Sequence, residues 1–224
     1  MGLFSGQYEK EGAGLPMPES GAARFFIILF SQFWKLVGAN LLFVAVSLPL
    51  ITLPAALGAL NRVCVLLYRN GWCYVWQSFR DEFKAGFRRS LLPAAAFLLL
   101  IFIGYYAMSL GLSNASLPLW SLVFWTVGIL SAAGGFCWGS CYFVLSAIQE
   151  LGWRQLMKNA RLLCMLRPGR AVAAALPAVV FLTLTAIFLP LSLFALLLIV
   201  PALCQYTVSV LFYTLAEEYV IEEN

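Results

Sequence analysis

The feature that most constrains this chain is a set of apolar runs that follow one another almost without interruption. They occupy residues 25–69, 91–112, 118–148 and 171–216. A helix that crosses the roughly 30 Å hydrocarbon core of a bilayer needs about 20 apolar residues. Of the 224 residues 62% are apolar and 11% are charged, whereas soluble domains have roughly 45–50% and about 25%. We therefore predict an all-α fold, a polytopic transmembrane helix bundle whose surface is mostly covered by lipid.

Prolines divide the two longest runs, each of which is about twice the length of one span. The first run is divided in "SLPLITLP", between Pro49 and Pro54, with one helix ending near Leu48. The last run is divided at Pro190. This division predicts about six spans. Five spans are the alternative, with a single span near 36–60 that follows an amphipathic helix on the membrane surface.

The domain organisation follows from the position of the charges. We interpret residues 1–21 as a flexible N-terminal tail, 22–216 as the transmembrane domain and 217–224 as an acidic C-terminal tail. In the six-span arrangement all 14 Lys and Arg residues can lie on one side, and the opposite turns contain none. The positive-inside rule then places both termini in the cytoplasm. No cleaved signal peptide is predicted.

Two basic segments between spans, residues 72–89 and 153–166, have the spacing of amphipathic helices. We expect them to be cytoplasmic connector helices. They either lie on the membrane surface or form a docking surface for a cytoplasmic partner. The residues that carry this prediction are Trp76, Phe79, Phe83 and Phe87 in the first segment and Trp153, Arg154, Lys158 and Arg161 in the second.

The same two segments suggest an internal repeat. Each begins at a Gly-Trp pair, and each is followed by a span that contains a similar sequence, "LPAAAF" at 92–97 and "LPAVVF" at 176–181. An inbound span, a basic helix and an outbound span would then occur twice in the same order.

Polar chemistry at membrane depth is sparse. The chain has no histidine, and its ten acidic residues all lie in tails or between spans. Membrane enzymes and metal sites usually need such groups within the spans. We therefore expect no enzymatic activity, no catalytic residue, no metal and no cofactor, and no nucleic-acid motif is present. The six cysteines lack metal-ligand spacing and are interpreted as small apolar residues.

Two amides beside the proline turn are the exception. Asn40 and Asn61 lie about equally far from the turn, so on adjacent antiparallel helices they would share a depth. A direct or water-mediated hydrogen bond between them would hold the first hairpin together. Alternatively, Arg62 caps the pair and forms a polar pocket for an anion or a sugar hydroxyl group.

The opening stretch resembles the YesL family of bacterial membrane proteins. The family pattern N-L-L-W-x-x-x-S-L-P-x-x-T is matched at Asn40 and at the turn residues Ser47, Pro49 and Thr52, with Phe43 in place of the tryptophan. The "FxxxFxxxF" pattern at 79–87 and "LMKNARLLCMLRP" at 156–168 extend the resemblance, which covers roughly residues 25–215.

The resemblance implies a multi-span protein of the bacterial plasma membrane that is associated with carbohydrate uptake, without an established molecular activity. We expect a non-enzymatic accessory protein whose partners are the lipid bilayer and subunits of a sugar ABC transporter. The alternative is a small permease in its own right.

Overall fold

The computed structural model of the chain describes residues 21–114, 117–149, 151–188 and 198–217, and the fold is described for these residues. This part of the chain is helical and contains no strand, which confirms the predicted all-α bundle. The helices are α1 (Ala22–Ser31), α2 (Phe33–Ser47), α3 (Leu53–Asn70), α4 (Val75–Ser113), α5 (Pro118–Ile148), α6 (Trp153–Leu166), α7 (Pro168–Ile187) and α8 (Val200–Ala216). Residues 1–20 of the predicted tail at 1–21, residues 218–224 of the predicted tail at 217–224, and the division at Pro190 lie outside the described residues.

The proline turn divides the first apolar run where the sequence predicts. Helix α2 ends at Ser47, a 3-10 turn covers Leu50–Thr52, and α3 starts at Leu53 with Pro54 in its first turn. Proline fits there because the first amides of a helix have no partner within the helix. One uninterrupted helix over residues 36–60 is therefore excluded.

The first predicted span is bent. Helices α1 and α2 meet at Gln32 at an angle of 74°. Helix α2 has 15 residues, so at 1.5 Å per residue it covers only about 22 Å of a core of about 30 Å. Helix α2 alone is therefore too short to cross the core, and a crossing by this segment would need both helices together.

The prediction that the first connector, residues 72–89, forms a separate helix is wrong. Residues 75–113 form one helix of 39 residues, about 58 Å long, which is nearly twice the thickness of the hydrocarbon core. Its buried residues follow one stripe from Phe79 through Gly86 and Pro93 to Gly111, so the aromatic face and the inner face of the span coincide. Packing of this stripe against α3 and α5 keeps the helix continuous through Pro93.

The second connector is confirmed as a separate helix. Helices α6 and α7 meet at 106°, and Arg167 between them has φ −137° and ψ 67°. The following residue is Pro168, whose ring disfavours the helical conformation of the residue before it. This proline explains why the chain turns here, whereas residues 75–113 continue as one helix.

Helices α4 and α5 approach each other closely because glycines face the neighbouring helix. A Cβ atom on Gly104 would lie 2.8 Å from the backbone nitrogen of Ala132 and 2.8 Å from the carbonyl oxygen of Gly128. The Ser131 hydroxyl group adds an interhelical hydrogen bond of 2.9 Å to the Leu100 carbonyl oxygen. Small residues and hydroxyl bonds are the usual basis of helix association in lipid.

Three helices of the described part, α3, α4 and α5, are each long and apolar enough to cross a membrane. The count rises to five when each bent pair, α1 with α2 and α6 with α7, is taken as one span. Helix α8 is apolar but has 17 residues. The molecule is therefore a polytopic helix bundle with three to five candidate spans.

Candidate functional site

A cavity of about 360 Å³ lies at the centre of the bundle. It is enclosed by α2, α3, α4, α5, α7 and α8. Among the described residues, its lining contains no Lys, Arg, Asp or Glu. Aromatic side chains form much of the wall, namely Phe43, Phe97, Phe136, Phe143 and Phe181. Pockets for small molecules typically have volumes of roughly 300–1,000 Å³ and mostly apolar walls with few polar groups.

Asn61 is the centre of the polar contacts at this cavity. Its side-chain oxygen accepts hydrogen bonds from Gln205 Nε2 at 2.6 Å and from Ser209 Oγ at 2.7 Å. Its Nδ2 donates to the Leu57 carbonyl oxygen at 3.0 Å, one helical turn back. The amide is fully buried and thus joins α3 to α8.

Asn40 makes a second connection to the same helix. Its side-chain oxygen accepts a hydrogen bond of 2.9 Å from the backbone N–H of Ala202, in the first turn of α8. Amides in the first turn have no partner within their own helix, so Asn40 caps α8 from α2. Both asparagines therefore face the bundle interior and hold α8, while the direct pairing of the two amides stays a prediction.

Arg62 contacts a different helix from the one that the two asparagines bond, and the polar-pocket hypothesis stays a prediction. Its Nη1 donates to the carbonyl oxygen of Ala147, near the C-terminal end of α5, and Arg62 is not part of the cavity lining. Successive residues of a helix point about 100° apart, so Asn61 faces α8 while Arg62 faces α5. The Arg62 side chain thus caps a helix end.

Two further arginines cap helix ends in the same way. Arg24 Nε donates to the Tyr68 carbonyl oxygen at 2.8 Å and Arg24 Nη2 to that of Arg69 at 2.6 Å, at the end of α3. Arg89 Nη2 donates to Ser146 O at 3.1 Å and forms a salt bridge of 2.9 Å with Glu82. Cations at C-terminal helix ends complement the negative end of the helix dipole.

The family-motif turn has a structural role. Thr52 Oγ1 donates to the carbonyl oxygen of Val46, at the end of α2, and lies 2.5 Å from that of Pro49. Ser47 Oγ donates to the Val44 carbonyl oxygen at 3.1 Å. These bonds satisfy carbonyl groups that the end of α2 leaves without helical partners. The turn leads directly into Leu53 and Pro54, which line the cavity.

The predicted docking residues separate into buried and exposed groups. In α4, Phe79 is buried, Phe83 and Phe87 are half-buried, and Trp76 is exposed. The Phe83 ring stacks on Phe79 and meets the Phe87 ring edge to face. In α6, Trp153 is half-buried and carries the Arg154 guanidinium group over its ring at 5.1 Å. The three cations of α6 are all exposed, namely Arg154, Lys158 and Arg161.

The cysteines are free in the described structure, and four of the six are buried. Cys73, between α3 and α4, has its pKa raised to about 11 because burial disfavours the thiolate, an effect that the nearby Lys35 partly offsets. Within the described residues no group of three or more His, Cys, Asp or Glu side chains is arranged to hold a metal ion.

Three residues of the site were not predicted from the sequence: Gln205, Ser209 and Ser140. Gln205 and Ser209 are four residues apart and therefore share one face of α8. Gln205 is the one carboxamide in residues 171–216, so its isolation in an apolar run was a usable signal. Ser140 lines the cavity from α5. It gave no comparable signal in the sequence, because serines are common in this chain.

Comparison with known proteins gives one match. Residues 36–108 match a family model described as a protein of unknown function, DUF624. No curated protein and no solved structure matches the chain. The matched segment runs from α2 to most of α4 and includes Phe43, Asn61 and Phe97 of the cavity. Over about a third of its length, the chain is therefore similar to an uncharacterised family.

Proposed function

We propose that this chain is a non-enzymatic membrane protein of the bacterial plasma membrane, an accessory component of carbohydrate uptake that contacts a cytoplasmic partner through the basic surface of α6. The basic surface consists of Arg154, Lys158 and Arg161. These cations are four and three residues apart, so they share one face of the helix.

The observation that supports docking is that the face of α6 opposite the basic surface is packed against the bundle. Leu156, Ala160 and Leu163 are buried in the bundle, and Trp138 Nε1 donates a 3.1 Å hydrogen bond to the Met157 carbonyl oxygen. A helix that lies on a membrane inserts its apolar face into the lipid. Because this face of α6 packs inside the protein, the cationic face is left for a partner.

Exposed apolar residues at the end of α6 fit the same arrangement. Leu162, Met165 and Leu166 are exposed just before the bend into α7. Exposed apolar side chains at this position are consistent with contact with the membrane interface, where the chain would enter the bilayer. The basic surface begins at Arg154, about two turns before Leu162, and ends at Arg161, so its first cations can project into the cytoplasm.

The carbohydrate part of the proposal rests on the YesL resemblance, whose turn motif at Ser47, Pro49 and Thr52 lies within the DUF624 match. The partner we propose is a cytoplasmic or membrane subunit of a sugar ABC transporter with an acidic surface. Complementary charge favours such a contact and makes it sensitive to salt.

Charge reversal of the basic surface tests the proposal. The variant Arg154→Glu, Lys158→Glu, Arg161→Glu should fold normally but no longer copurify with sugar transporter subunits in mild detergent. The matched control, Arg154→Lys, Lys158→Arg, Arg161→Lys, keeps the charge and should keep the partner. Equal recovery with both variants, or no transporter subunit with the unmodified chain, would overturn the docking role.

The second candidate function is a small permease, which the central cavity favours. Copurification combined with a sugar-flux assay in liposomes separates the two functions. Sugar flux through liposomes that contain this protein alone would replace the accessory role with the permease. The apolar lining argues against a sugar path, because a sugar hydroxyl group that leaves water needs a hydrogen-bond partner.

A further inference from the structure

The central cavity has a second property besides its size, namely polar groups that point to a particular ligand chemistry. Ser140 lines the cavity, and its hydroxyl group has no hydrogen-bond partner among the described residues. Most buried or half-buried hydroxyl groups in helices bond a carbonyl oxygen of the preceding turn, as Thr207 does here at 2.8 Å. Ser140 is therefore available to a molecule in the cavity.

Gln205 offers the complementary group. Its Nε2 is used by Asn61, whereas its side-chain carbonyl oxygen has no partner within the described part of the chain. A carbonyl oxygen can only accept a hydrogen bond, so a ligand that satisfies it must donate. A ligand hydroxyl group can donate to Gln205 and accept from Ser140, which a ketone, ester or hydrocarbon cannot do.

The rest of the cavity lining disfavours a charged ligand and favours a ligand with a hydrocarbon chain. Besides Ser140, Gln205 and Asn61, the described residues of the wall are apolar side chains, glycines and Cys204. A carboxylate or ammonium group in such surroundings would have no countercharge and would be strongly disfavoured. The ligand must therefore be neutral, with most of its surface apolar.

The rim of the cavity includes a residue that faces outward. Leu98 of α4 lines the cavity and is 59% exposed. Its neighbours Leu99 and Phe102 are exposed to a similar extent and belong to the apolar outer face of a candidate span. An apolar molecule can therefore enter from the surrounding lipid without crossing water.

We propose that this cavity binds a neutral amphiphile from the bilayer, a long alkyl or alkenyl chain with a hydroxyl head group. The chain lies against the aromatic wall, and the hydroxyl group bonds Gln205 and Ser140. This site is independent of the basic surface on α6, so either proposal can fail without the other.

Photolabelling of the full chain in phosphatidylcholine vesicles tests the site. The probe is a long-chain primary alcohol with a diazirine in its chain. The comparison probes are the matched alkane and the matched carboxylic acid. The alcohol should label cavity residues such as Phe97 and Phe143, and excess unlabelled alcohol should abolish the labelling. The alkane and the acid should label them weakly.

Two variants make the result specific. Ser140→Ala removes a hydroxyl group that has no partner among the described residues, so it should leave stability unchanged and lower the preference for alcohol over alkane about two- to tenfold. Ala178→Leu fills the cavity and should abolish labelling, whereas Ala133→Leu on the exposed face of α5 should not.

The opposite pattern would overturn the proposal. Labelling spread along the lipid-exposed faces of α4 and α5, without saturation, would show only partition of the probe into the bilayer. Cavity labelling that Ser140→Ala leaves unchanged would refute the role of the hydroxyl group. Ser140→Ala keeps the test decisive even where Ala178→Leu prevents folding.

Discussion

The contact between Asn61 and α8 allows a stability prediction that can be worked out from the structure. Asn61→Leu removes both interhelical hydrogen bonds, the one from Gln205 and the one from Ser209. Interhelical hydrogen bonds in membranes are worth about 0.6 kcal/mol on average and up to about 1.7 kcal/mol. Two such bonds give roughly 1–3 kcal/mol.

The partners left behind determine where in this range the value falls. The Ser209 side chain is fully buried, but a serine in a helix can turn to the carbonyl oxygen one turn back. Gln205 lines the cavity and also retains some freedom. We therefore expect a loss of about 1–2 kcal/mol in the free energy of unfolding, below the full cost of two stranded polar groups.

The measurement is equilibrium unfolding in mixed micelles by titration with a denaturing detergent. A double-mutant cycle of Asn61→Leu with Ser209→Ala should give a coupling energy of about 0.6–1.7 kcal/mol. Asn114→Leu is the control, because the Asn114 amide bonds only Leu110 of its own helix among the described contacts. A coupling energy of zero within error would refute the hydrogen bond between Asn61 and Ser209.

Three further predictions follow from local contacts. Gly104→Ala should lower stability by about 1–3 kcal/mol because the added Cβ meets the backbone of α5 at 2.8 Å, whereas Gly134→Ala, with open space around it, should be neutral in the same unfolding assay. Thr52→Val should cost about 1 kcal/mol by removing the hydroxyl bonds of the proline turn, and Thr183→Val, whose bond stays within α7, should cost less. Cys73, with its pKa raised to about 11, should react with a maleimide at pH 8 about a hundredfold more slowly than an ordinary exposed thiol. The reaction rate should rise about tenfold per pH unit up to that pKa. A rate that no longer changes above pH 8 would contradict this prediction.

Much of the fold follows from the sequence because lipid imposes simple rules on length and polarity. The break at Pro49 was predictable, since proline removes a helical hydrogen bond and the flanking runs have the length of spans. The amphipathic character of α6 was predictable because its period is carried by many residues. Both depend on local chemistry, which the sequence displays directly.

The course of α4 depends on tertiary packing and was therefore predicted incorrectly. The aromatic pattern at Phe79, Phe83 and Phe87 is the same whether the segment lies along the membrane or continues a span. The choice between a surface helix and a continued span is decided by the buried face of α4, which runs from Phe79 to Gly111 and packs on α3 and α5. The two halves of the suggested repeat thus differ because the second contains Pro168 at the bend and the first contains no proline before Pro93.

The candidate site was predicted in part for a related reason. A buried amide in an apolar helix must find a partner, so Asn40 and Asn61 were recognisable, but the sequence cannot say which helix supplies it. The nearest neighbour in the chain was the simplest choice, and the contacts from α8, more than 140 residues away from Asn61, were not foreseen. Long-range contacts of this kind have no local signature.

The arginines that cap helix ends change how the charge asymmetry of this chain is understood. Arg24, Arg62 and Arg89 bond carbonyl groups at the ends of α3 and α5, so part of the positive charge that orients a membrane protein here also completes its helices. These side chains are committed within the molecule. The cations of α6 are exposed on a helix whose apolar face is already buried. Position in the fold, more than net charge, therefore separates the cations that complete helix ends from the cations that are exposed, and the exposed group also includes Arg80, Lys84 and Arg88 of α4.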